Sequence, residues 1–171
     1  RATRHGGQGE KAKPDTGPHT GNAKAPITIP IYTDMLCPYG ASSLGTLDQL
    51  MDEYPNKLRR VMKQMPVHAA AEMPAEANDA ADAQGKFWEM HDLMAQHPDG
   101  LPRELVEQLA QQAGLDMTKF DAALTNGTYK AAVQTDMDGA KDLEITGTPA
   151  FVINGRRVIG NMPIEVMRSA I

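Results

Sequence analysis

Apolar positions along the chain follow two different periods. Ile27, Ile29 and Ile31 alternate with Thr28, Pro30 and Tyr32, the two-residue repeat of a strand. Pro30 suits an edge position or a bulge, because it has no N–H for a ladder. From about Pro38 the period becomes helical: Leu44, Leu47, Leu50, Met51 and Tyr54 share one face, and Pro55-Asn56 ends the run. The stretch from Leu58 to Met65 predicts a second strand. A helical block follows. Residues 69–83 are Ala-rich; Phe87, Met90, His91 and Met94 mark another helical face; Leu105, Val106, Leu109, Ala110 and Ala113 form an amphipathic stripe closed by Gly114. Residues 115–124 and 133–143 predict two more helices. Strand signals then return at 150–153 and 156–159, joined by Asn154-Gly155, a strong two-residue hairpin turn. Pro163 fits the first turn of a last short helix. The order is β-α-β, a helical block over about 68–143, then β-β-α, without an internal repeat.

Composition narrows the class. With 171 residues, 41% hydrophobic and 23% charged, the chain has the size and balance of one globular domain. No apolar run reaches the roughly 20 residues of a membrane span. The net charge of −5 is unevenly spread. Residues 1–26 carry Arg1, Arg4, Lys11, Lys13 and Lys24 against Glu10 and Asp15, and contain no Val, Ile, Leu, Met or aromatic residue. That composition predicts a flexible basic tail or linker over 1–26, joining residues 27–171 to something else. The acidic remainder argues against a nucleic-acid partner.

Candidate chemistry centres on Cys37, the single cysteine, in Cys37-Pro38-Tyr39-Gly40 directly after the first strand. A thiol at a helix start meets backbone N–H groups that favour the thiolate, and Pro38 suits a first helical turn. The other reading of Cys37 is a small buried hydrophobe. Four segments, in this order and spacing, resemble the DsbA-like branch of the thioredoxin superfamily: the strand leading to Cys37-Pro38-Tyr39; Gln84-Gly85-Lys86-Phe87-Trp88-Glu89-Met90-His91; Gly114-Leu115-Asp116; and Thr146-Gly147-Thr148-Pro149-Ala150-Phe151-Val152-Ile153-Asn154-Gly155. The likeness spans about 27–171. It implies an α/β, thioredoxin-like fold with an inserted helical subdomain. It also implies a nucleophilic Cys37 and a facing cis-proline loop at Thr148-Pro149 that presents backbone to an extended substrate. Most such proteins are exported, so a periplasmic location is implied. Gly40 departs from the pattern: it stands where a resolving cysteine is expected, and inside a helix a glycine costs about 1 kcal/mol relative to Ala.

Three functions compete. A one-cysteine thiol–disulfide protein would exchange with protein or glutathione thiols and disulfides. A redox-inactive module would hold an extended peptide beside Pro149. A copper protein would use Met35 and Met162 with Cys37 as soft ligands, although core packing is the ordinary use of Met. The first is the preferred reading, with no resident metal or other cofactor. His68 and His91 are candidate bases or ligands, read first as structural histidines; Phe87 and Trp88 are read as core. Asp34 and Glu53 are acidic groups whose relation to Cys37 the sequence leaves open.

Overall fold

A computed structural model describes residues 16–171 of the chain. Five strands form one sheet: β1 (His19–Gly21), β2 (Ile27–Thr33), β3 (Leu58–Gln64), β4 (Ala150–Ile153) and β5 (Arg156–Ile159). Their order is β1-β3-β2-β4-β5; β2 and β3 run parallel and the other neighbours antiparallel. The parallel pair needs a crossover, and α1 (Gly40–Glu53) supplies it. The helical block lies between β3 and β4: a 3₁₀ turn (Ala69–Ala71), α2 (Glu72–Ala83), α3 (Phe87–Ala95), α4 (Arg103–Gln112), α5 (Met117–Asn126) and α6 (Lys130–Asp142). A short α7 (Ile164–Arg168) follows β5.

Burial follows the two periods. Ile29 and Ile31 of β2 pack with Leu47 and Leu50 of α1, Phe87 of α3 and Met167 of α7 on one face of the sheet. Tyr32 points to the other face, against Ala140 of α6 and Ala150 of β4. A third cluster joins α2 to α5 through Ala77, Met90, Met94, Val106 and Phe120. Met35 belongs to this third cluster although it follows β2, so the loop after β2 is anchored in the helical block.

Several sequence expectations change. Pro30 sits in the central strand, not at an edge. It pairs in register with Val61 of β3, while β4 pairs with β2 at Ile31 and Tyr32 only, so the short ladder with β4 ends where the N–H is missing. The tail expected over 1–26 is not free over its described part, because His19–Gly21 is an edge strand on β3. Such a strand needs main-chain partners rather than an apolar face. It has side-chain clamps too: Trp88 Nε1 donates to His19 O at 3.3 Å and Arg60 Nε donates to Thr20 Oγ1 at 2.5 Å. Gly21 is required there. Its φ is +96°, and a Cβ would lie 2.6 Å from Leu58 O. Residues 1–15 lie outside the described residues. Trp88, expected in the core, is half-buried as the clamp on β1, whereas Phe87 is 3% exposed. The Ala-rich run is a 3₁₀ turn followed by α2. Pro163 precedes α7 as its cap rather than filling its first turn.

Candidate thiol site

Two consecutive turns carry the chain from β2 into α1. Cys37 N donates to Asp34 O at 3.0 Å, and Gly40 N donates to Cys37 O at 3.2 Å. The helix therefore starts at Gly40, with Tyr39 as its cap, rather than at Pro38. Gly40 is the first helical residue instead of an interior one, so the interior cost of glycine does not apply in full. Cys37 is half-buried between the strand end and the helix start, with Pro38 and Tyr39 exposed beside it.

Asp34 builds the first turn. It is 2% exposed. Its Oδ1 accepts from Leu36 N at 2.7 Å, and Oδ2 accepts from Val67 N at 2.8 Å and His68 N at 3.0 Å. His68 Nδ1 lies 3.0 Å from the same Oδ2. The carboxylate thus ties the thiol loop to the segment after β3, and His68 is its partner rather than a base aimed at Cys37. Glu53 is remote from the thiol. It ends α1, a helix of fourteen residues and so about 20 Å long, and pairs with Arg168, whose hydrogen bond and charge hold its carboxyl below the usual range.

The facing wall comes from the far end of the sequence. Cys37 Sγ donates to Thr148 O at 3.5 Å. The Thr148–Pro149 peptide bond is cis, with Pro149 buried and Thr148 half-buried. Pro149 O accepts from Gly160 N at 2.8 Å, which fixes this loop to the end of β5. Asn161 then bridges to the first turn of α1: Ser43 Oγ donates to Asn161 Oδ1 at 3.2 Å, and Asn161 Nδ2 donates to Ser42 Oγ at 3.3 Å. Sequence reasoning did not find Ser42, Ser43 or Asn161, and no local pattern marks contacts across 118 and 119 positions.

A cavity of about 110 Å³ lies beside the thiol, with Thr33, Gly40, Leu44, His91 and Ala95 among its walls. His91 is 3% exposed and stacks on Phe87 at 5.7 Å between ring centroids, with Nδ1 at 3.1 Å from Asp92 Oδ1. It is therefore both a packed residue and part of this wall. Met35 is buried in the helical core and Met162 is 40% exposed on the loop after β5. Among the described residues no three His, Cys, Asp or Glu side chains gather as a metal centre. No second cysteine exists in the chain, and position 40 carries no side chain. The arrangement can attack a disulfide with one sulfur and offer a backbone carbonyl beside it. An internal disulfide is beyond it.

Among the described residues no helix is long and apolar enough to cross a membrane. The family model described as Thioredoxin matches residues 13–171. The Na(+)/H(+) antiporter NhaA 3 of Salinispora tropica is 36% identical over 162 residues, covering 92% of this chain but 24% of that protein. The chain thus spans about a quarter of the length of such curated relatives. A solved thioredoxin-like oxidoreductase from Silicibacter pomeroyi shares 26% identity with a TM-score of 0.77, over 90% of this chain and 88% of its own. The thiol-disulfide exchange protein alpha-DsbA2 from Wolbachia pipientis has the same fold, with a TM-score of 0.78 at 18% identity over 90% and 84%. With its helical block between β3 and β4, and Gly40 three residues after the lone Cys37, the chain belongs to the thioredoxin family.

Proposed function

We propose that this domain performs thiol–disulfide exchange through Cys37 alone. The observation that carries the reading is the half-buried Cys37 Sγ held 3.5 Å from Thr148 O, beside Pro149, with glycine at position 40. The Cys37 thiolate attacks one sulfur of a substrate disulfide. A new S–S bond forms to Cys37 as the old one breaks, and the departing sulfur takes the electron pair and then a proton. With no second thiol in the chain, release needs an external thiol, so exchange and isomerisation are open while net oxidation of a dithiol is not. In this reading Pro38, Tyr39 and Gly40 shape the approach, and Thr148 and Pro149 present backbone to an extended chain by strand-like pairing.

Protein thiols are the preferred partners. Tyr39, Val67 and Met162 are the exposed large hydrophobic residues among those described, at 57%, 51% and 40%. Each is tied to the thiol loop or the helix start behind it. Tyr39 follows in sequence, Val67 N is bound to Asp34, and Met162 follows Asn161, which bonds Ser42 and Ser43. An apolar rim of this kind suits an unfolded polypeptide more than a compact polar one. It also supports the second reading, a redox-inactive module that holds an extended peptide. Glutathione is the small-molecule partner of the first reading, and an exported location goes with the DsbA-like form. The longer relatives named as antiporters support a linked arrangement in which this domain works beside a membrane transporter.

The deciding experiment mixes the reduced chain with a protein carrying one accessible disulfide and follows intact mass. Exchange predicts a Cys37-linked adduct that Cys37→Ser abolishes. Binding of the same protein that survives Cys37→Ser, with no adduct from the unmodified chain, selects the second reading.

A further inference from the structure

The cavity beside Cys37 is larger and less satisfied than a simple seam between α1 and α3. A water needs only about 10–15 Å³ of such space; this cavity offers about 110 Å³. It exists because its walls carry small residues, Gly40 and Ala41 on α1 and Ala95 at the end of α3. It also holds an unpartnered polar group. Thr33 is 5% exposed, and no described group hydrogen-bonds its hydroxyl. That hydroxyl is the one atom within 4 Å of where a Gly40 side chain would begin, at 3.7 Å, so it is aimed into the space glycine leaves open. The Asp34 carboxylate and one ring nitrogen of His91, also on the walls, already have partners. The Asp34 carboxylate accepts from Leu36, Val67 and His68, and His91 Nδ1 faces Asp92. The Thr33 hydroxyl is therefore open to whatever fills the cavity, a water or a ligand group.

We infer that this cavity is a subsite for the compact half of a small hydroxy- or aminothiol disulfide, seated between Cys37 Sγ and Thr33 Oγ1. The inference deepens the exchange reading above and rests on it. The Cys37 thiolate attacks one sulfur of the compact disulfide; the Cys37–S–S–R bond forms, the original S–S bond breaks, and R–S⁻ departs with the electron pair and is protonated by solvent. The retained R group, two to four atoms beyond sulfur, lies under Gly40 with its amine or hydroxyl on Thr33. A tripeptide thiol leaves most of its bulk outside, where the chain's net charge of −5 opposes an anion.

The test is a competition. Reduced chain is mixed with equal concentrations of bis(2-hydroxyethyl) disulfide and oxidised glutathione, quenched with acid, and the two Cys37 adducts are counted by intact mass. The same competition in urea gives the ratio intrinsic to the reagents. The folded chain should exceed that ratio in favour of the compact adduct by about tenfold. Ala95→Leu, which fills the cavity without changing charge, should bring it back to within about twofold, and Thr33→Val should lower it severalfold. A folded-chain ratio within about threefold of the urea value overturns the subsite, as does a preference unmoved by a folded Ala95→Leu. If Ala95→Leu does not fold, an unmoved ratio in Thr33→Val overturns it instead. Absence of both adducts from the folded chain refutes the exchange reading itself, whereas both adducts at the urea ratio remove the subsite alone.

Discussion

Gly40 stands one turn beyond Cys37, and a Cβ built there meets only Thr33 Oγ1, at 3.7 Å. Gly40→Cys should therefore fit without a clash and close a disulfide with Cys37 under mild oxidant, read as a two-proton mass loss and no free thiol. Two free thiols after oxidation would mean that residues 37 and 40 do not face each other. Asp34 makes a different prediction. Asp34→Ala strands the N–H groups of Leu36, Val67 and His68, and should cost about 3 kcal/mol in chemical denaturation. A cost under about 1 kcal/mol would show that water replaces the carboxylate. At this scale the sequence was informative where chemistry is local. Cys37 stood out as the single cysteine directly after a strand-like run, and Gly40 and Thr148-Pro149 through the family resemblance. Asp34 was noticed, but its partners Val67 and His68 lie more than thirty positions on, and Ser43 meets Asn161 only through the fold.

The helices of the insertion carry charge where it is expensive. Asp79 of α2 and Asp136 of α6 meet beneath β3, near Lys63. Burial, then repulsion from Asp136, Asp82 and Glu76, raises Asp79 to about 7 despite Lys63; burial raises Asp136 too. A carboxyl raised in the folded state binds its proton more tightly there than in the unfolded chain. Its contribution is full in acid and is lost as pH climbs from about 4 to about 7. Asp79→Asn should thus raise stability at pH 8 by roughly 2 kcal/mol and flatten the fall between pH 5 and 7. An unchanged pH profile would show that Asp79 is solvated. Helices such as α4 were legible because Val106, Leu109 and Ala110 repeat on one face. The α2 cluster was not, since a polar residue in an amphipathic pattern is normally read as exposed. β1 was missed for the opposite reason: His19–Gly21 has no apolar signal and is held by main-chain pairing with β3 and by the side chains of Trp88 and Arg60. Trp88→Ala should free it, seen as faster amide exchange at residues 19–21 with little change in β4 and β5; uniform exchange across the sheet would contradict that clamp.

The whole molecule puts its thiol where two cores meet. β2 delivers the loop, Met35 anchors it in the helical block, and the loop of Thr148 and Pro149 closes it from the opposite end of the chain. The order of strand and helix signals foretold this architecture, because each element carries its own period. It could not place the cavity under Gly40, which depends on how α1 and α3 approach each other. The central claim is that one sulfur does the chemistry. Intact mass over time, with the reduced chain and a one-disulfide protein and no added thiol, tests it most directly. The account predicts a one-to-one Cys37-linked adduct that, once the freed substrate thiol is alkylated, persists and clears only when an external thiol is added. Repeated turnover without that thiol, or no adduct at all, would contradict it.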